Sequence, residues 1–72
     1  MQNKKAAEIA NMLVERRHQI RMQKVVRNAT RIHLEGGFIV AVYNSGNVKF
    51  KGKMNRNAYL AVIEYLNGPA LW

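Results

Sequence analysis

From Phe38 to Lys53 the chain alternates between two kinds of side chain with a period of two, the repeat of a half-buried β-strand. Taken as a tight hairpin, this segment puts Ile39, Ala41, Tyr43, Val48 and Phe50 on one face and Val40, Val42, Lys49, Lys51 and Lys53 on the other. Thr30 to Glu35 alternates in the same way, with Ile32 and Leu34 opposed to Arg31 and His33. Gly36-Gly37 supplies the positive φ angles of a two-residue turn, and Ser45-Gly46, flanked by Asn44 and Asn47, supplies the next. Two-residue loops would set Leu34 opposite Ile39, Ile32 opposite Ala41, Tyr43 opposite Val48 and Ala41 opposite Phe50. Cross-strand partners share a face, and both hairpins then agree on which residues of the middle strand point inward.

Helical spacing brackets this meander. Asn3 is an N-cap candidate, and Ala6, Ile9, Ala10, Leu13 and Met12 recur at three- and four-residue intervals. The stripe would meet Arg16 if it continued, so the helix is expected to end near His18. Residues 20–27 return to a period of two, with Ile20, Met22 and Val26 opposed to Arg21, Val25 and Arg27; Lys24 interrupts the apolar set. A helix running on through Arg27 is the alternative. Asn55 or Asn57 caps a final helix whose apolar residues run from Ala58 to Leu66, and Gly68-Pro69 stops it. Ala70-Leu71-Trp72 follows as an apolar tail. Helix, three or four antiparallel strands and helix make a two-layer α+β domain.

The chain has 72 residues and no cysteine, which means one domain, a small core and neither disulfide nor thiolate metal site. Twelve Lys and Arg against four Glu give a net charge of +8. That excess favours polyanions, nucleic acid before an acidic membrane or protein. No apolar run approaches a membrane span, and Glu8 and Asn11 interrupt any signal-peptide core, so a cytoplasmic protein is expected.

On the expected register the outward face carries Arg31, His33, Glu35, Phe38, Val40, Val42, Lys49, Lys51 and Lys53, joined by Arg21, Val25 and Arg27 if residues 20–27 are a strand. Lysine and arginine neutralise phosphates, while apolar groups contact sugars or bases. Arg31, His33, Lys49, Lys51 and Lys53 are therefore the candidate backbone contacts, Phe38, Val40 and Val42 the sugar or base contacts, and Arg16, Arg17 and Arg56 an extended footprint. About six phosphate contacts would give a log–log salt slope of roughly −5. Lysine on strands also serves merely to block edge pairing, and Phe38, Val40 and Val42 would equally suit a homodimer interface or the underside of the Leu71-Trp72 tail. The expected function is low-specificity nucleic-acid binding as a homodimer. The alternative is an interaction module or inhibitor that docks on an acidic protein surface.

Catalysis is not expected. Glu8, Glu15, Glu35 and Glu64 are scattered, His18 and His33 lack acidic or cysteine neighbours for a metal, and Ser45 belongs to a turn. No phosphate-cradling glycine motif occurs and no cofactor is implied.

The run from Ala41 to Lys53, followed by a helix, resembles the domain of the TATA-box-binding-protein type, above all the version at the N-terminus of ribonuclease HIII. Tyr43, Ser45, Gly46, Val48, Phe50 and Gly52 carry the match, over about a third of the chain. The resemblance implies a curved antiparallel sheet with helices on its convex side and a concave face that grips duplex or hybrid, carried here by Lys49, Lys51, Val40 and Val42. The transcription factor's saddle uses two copies of the domain, so one chain would need a homodimer. Its paired intercalating phenylalanines have only Phe38 as a candidate, and no ribonuclease H carboxylate cluster is present. The element order is also similar to a double-stranded-RNA-binding domain, but Lys53-Met54-Asn55-Arg56-Asn57 matches poorly that family's lysine-rich start to the last helix.

Overall fold

A computed structural model describes residues 3–68. The elements are α1 (Lys4–Glu15), β1 (Ile20–Val25), β2 (Ala29–Leu34), β3 (Phe38–Tyr43), β4 (Val48–Gly52) and α2 (Arg56–Leu66). The four strands form one antiparallel meander in the order β1-β2-β3-β4. The fold is two-layer α+β, with residues 20–25 a strand rather than an extension of α1. The Ala70-Leu71-Trp72 tail lies outside the described residues.

Asn3 caps α1 and also anchors it. Its Oδ1 accepts from the Ala6 N–H at 3.1 Å, and its Nδ2 donates to the Val42 carbonyl at 3.0 Å. Lys5 Nζ adds a second tether, donating to the Gly46 carbonyl at 2.9 Å. The helix stops at Glu15, three residues before the expected His18. Arg17 turns left-handed at φ 69°, its N–H donates to the Val14 carbonyl and the His18 N–H donates to the Leu13 carbonyl. This is a Schellman ending with arginine where glycine is usual. Asn55 caps α2 by accepting from the Ala58 N–H at 3.2 Å.

One side of the sheet is covered by both helices. Ala6, Ile9, Ala10 and Leu13 of α1 and Ala58, Ala61 and Val62 of α2 pack on Ile32, Leu34, Phe38, Val40 and Val42. Phe38 stacks on Phe50 at 5.7 Å, and Phe50 meets Tyr59 edge-on at 4.8 Å, joining β3, β4 and α2 through an aromatic column.

The middle strand faces the opposite way from the sequence expectation. Ile32 pairs with Val40, not Ala41, and Val42 pairs with Val48, where Tyr43 was expected. Both turns hold three residues, Glu35-Gly36-Gly37 and Asn44-Ser45-Gly46, the second bounded by the Tyr43 N–H donating to the Asn47 carbonyl just before β4; they are closed by Gly37 N–H to Leu34 carbonyl and Gly46 N–H to Tyr43 carbonyl. Each extra loop residue slips its register by one and so exchanges the faces. Because β3 lies between the two slips, β2 and β4 keep their expected orientation while β3 alone is inverted. The agreement between the hairpins was a shared one-residue error.

Candidate nucleic-acid interface

The face of the sheet away from the helices is built from two transverse rows. In the first, Lys24 pairs with Arg31, Arg31 with Ala41, and Ala41 with Lys49. In the second, Met22 pairs with His33, His33 with Ile39, and Ile39 with Lys51. Strands about 4.8 Å apart place three cations of the first row across a sheet some 14 Å wide. Ala41 is 0 % exposed although no helix covers it. Its cross-strand neighbours are Arg31 and Lys49, whose long stems can cover apolar surface while their charged heads remain in water. Lys49 Nζ also stands 5.8 Å from the centre of the Tyr43 ring.

Among the described residues no carboxylate shares this face. Glu8, Glu15 and Glu64 are on the helices and Glu35 is in the β2–β3 turn. The helical layer absorbs acidic charge locally. Arg16 donates to Glu64 at 2.9 Å, and this hydrogen bond holds the Glu64 carboxyl below the usual carboxylate range. The Tyr65 hydroxyl donates to Glu8, which pushes the Tyr65 pKa up, because ionisation would lose the bond. The result is a charge-asymmetric domain: Lys24, Arg31, Lys49 and Lys51 stand on one side without counter-charges.

Of the residues expected to contact ligand, Arg31, His33, Lys49 and Lys51 do share the open face. Phe38, Val40 and Val42 do not: they are 1 %, 0 % and 0 % exposed beneath the helices, and the inverted β3 is the reason. Neither sugar or base contact nor a dimer interface is open to them there. Ile39 and Tyr43, assigned to the core from sequence, take their places on the open side, half-buried. Lys53 follows β4 and lies with Glu35 and Arg56 around a shallow cleft at the start of α2. Arg16 is engaged by Glu64 on the helical layer, and Arg17 sits in the turn behind α1.

Sequence reasoning missed Lys24 and Met22 on this face. An irregularity between Ile20 and Met22 shifts the pairing by one. Ile20 still faces the helices, but Gln23 and Val25 follow it there, while Met22 and Lys24 turn outward. Arg21 is exposed at the irregularity itself, and Arg27 lies beyond the strand on the helix side. A bulge of this kind leaves no mark in composition. The loops did leave one: glycine at the third position of Asn44-Ser45-Gly46 is the mark of a three-residue hairpin loop.

His33 is the other polar group of note. Its Nε2 is buried and has no hydrogen-bond partner among the described residues, an expensive arrangement for a fold. Among the described residues no three histidines or carboxylates gather as a metal site, and no helix is long and apolar enough to cross a membrane. Comparison with protein-family models, curated proteins and solved structures gave no match to this chain.

Proposed function

We propose that this chain binds nucleic acid through the open face of its sheet, with Lys24, Arg31, Lys49 and Lys51 on phosphates and Tyr43, Ile39 and Met22 against sugars or bases. The observation that carries this is the row Lys24–Arg31–Ala41–Lys49, three cations, two of them directly opposed, with no carboxylate of the described residues between them. Like charges directly opposite destabilise a sheet, and a polyanion removes that penalty. Lysines that merely guard an edge would sit on β1 and β4 alone, but Arg31 belongs to an inner strand. The face offers no Asn or Gln for base edges, so recognition of sequence is weak. It is also the face that the resemblance to the TATA-box-binding-protein type implies for Lys49 and Lys51; Val40 and Val42 drop out of it.

A single copy is the proposed binding unit. Two β1 strands paired antiparallel about Lys24 would set the two Lys24 side chains against each other, and two β4 strands paired about Phe50 would set Lys49 against Lys51. A saddle joined at either edge therefore carries repulsion along its seam. Four phosphate contacts give an expected salt slope of about −3 to −4 on duplex. The test is a gel-shift titration of wild type and K49E/K51E against single-stranded, duplex and hybrid probes. Both lysines are exposed, so the double variant should keep its circular dichroism and lose binding. Retained affinity refutes the assigned face.

A further inference from the structure

β1 differs from β4 in that, among the described residues, its second half has no cover on either side. Phe50 and Val48 of β4 pack against the core from the helix side, whereas Val25 of β1, which faces the same way, is 76 % exposed. The helical layer covers the start of β1 at Ile20 and stops short of its end. What remains is a groove of about 560 Å³ between the first turns of α1 and the second half of β1, with Ala6 and Ala7 on one wall, Gln23 and Val25 on the other, and Lys4 and Arg27 at its rim. Beside it runs the outer edge of β1, which has no strand partner among the described residues.

We infer that the β1 edge accepts an extended acidic segment of another protein as a fifth antiparallel strand. An unpaired strand edge is a template for main-chain hydrogen bonds, and side chains on alternate positions set the choice of partner. Here the two faces ask for different residues. On the open face an added strand meets Met22 and Lys24, so a carboxylate fits opposite Lys24. On the helix side it meets Gln23 and Val25 and overhangs the groove, so an apolar side chain fits there. The partner is thus a strand that alternates acidic with apolar residues, and Arg21, Lys4 and Arg27 extend the complementary charge. The same cations disfavour a second copy of this chain, since two β1 strands paired antiparallel about Lys24 oppose one Lys24 to the other. Edge lysines here act as a filter that admits one class of strand and repels another. The inference does not rest on nucleic-acid binding, although the two sites share Lys24 and Met22.

The test titrates the full chain, labelled with nitrogen-15, with a short peptide alternating glutamate and valine, and with its lysine–valine counterpart. The acidic peptide should bind at least about tenfold more tightly, because each cross-strand pair changes sign between the two. It should also slow hydrogen exchange at alternate amides from Arg21 to Val25, the signature of an added strand. V25E should weaken the acidic peptide about fivefold and leave the fold intact, since Val25 is already in water. Absence of binding, equal affinity for the two peptides, or protection confined to other elements would each overturn the inference.

Discussion

Lys24 and Arg31 stand directly opposite one another on the β1–β2 ladder, two cations with no carboxylate near them among the described residues. Opposed like charges are unfavourable in a sheet, by a few tenths of a kcal/mol to about 1 kcal/mol. Lys24→Glu would turn the repulsion into an ion pair with Arg31. The variant should melt a few degrees higher than wild type while its affinity for nucleic acid falls about tenfold and its salt slope flattens by about 1. Thermal melts and a salt-dependent binding titration on the same preparation check both halves. Gains in both stability and affinity would mean that the row has no binding role.

Gly52 and Gly36 both have positive φ, 79° and 89°, but their surroundings differ. A methyl group on Gly52 would overlap the Gly37 carbonyl oxygen, which also accepts the Lys53 N–H at 3.1 Å; around Gly36 there is open space. Gly36→Ala should therefore cost only the left-handed backbone penalty, about 1–2 kcal/mol. Gly52→Ala must in addition part β3 from β4 at Phe38, and should cost clearly more. Urea denaturation of the two variants gives the difference directly.

Arg17 makes the opposite case, a bulky residue where glycine is preferred. Its φ of 69° closes the end of α1. Arg17→Gly should stabilise the domain by about 0.5–1 kcal/mol, since it relieves left-handed strain at some cost in chain entropy. The residue stands in the turn behind α1, away from the open sheet face, so binding should change by no more than a removed distant charge allows. Chemical denaturation and a binding titration measure the two effects.

Tyr65 and Glu8 tie the two helices at the back of the molecule. The hydroxyl donates to the carboxylate, so folding favours neutral Tyr65 and raises its pKa. That contribution is complete below the ordinary tyrosine value near 10 and fades as pH rises through the raised folded value. Tyr65→Phe removes it. The stability difference between wild type and variant should hold constant through neutral pH and shrink in the alkaline limb. A difference that grows with alkalinity would contradict the hydrogen bond.

Most of the architecture was legible because local chemistry spoke for it. Asn3 and Asn55 marked the helix starts, the Ala6–Ile9–Ala10–Leu13 spacing marked the buried stripe, and the glycine turns marked the meander. The face of β3 was not legible in the same way. Phe38-Ile39-Val40-Ala41-Val42-Tyr43 is apolar at every position, so either parity puts hydrophobic groups inward, and turn length alone decides. One residue in each loop was enough to bury Phe38, Val40 and Val42 and bring out Ile39 and Tyr43. The lysines of β4 keep their face because the two one-residue slips cancel across β3, and the alternation of Val48, Lys49, Phe50 and Lys51 admits a single orientation. Lys24 was hidden for another reason: the irregularity at Arg21 reverses the parity of β1 midway.

Amide chemical-shift mapping during addition of a short nucleic-acid duplex, single strand or hybrid tests the central claim most directly. The largest shifts should fall on Lys24, Arg31, His33, Ile39, Tyr43, Lys49 and Lys51, across all four strands, and leave the outer surface of α1 and α2 unmoved. Shifts concentrated on the helices, or no saturable shifts at low salt with any of the three probes, would contradict it.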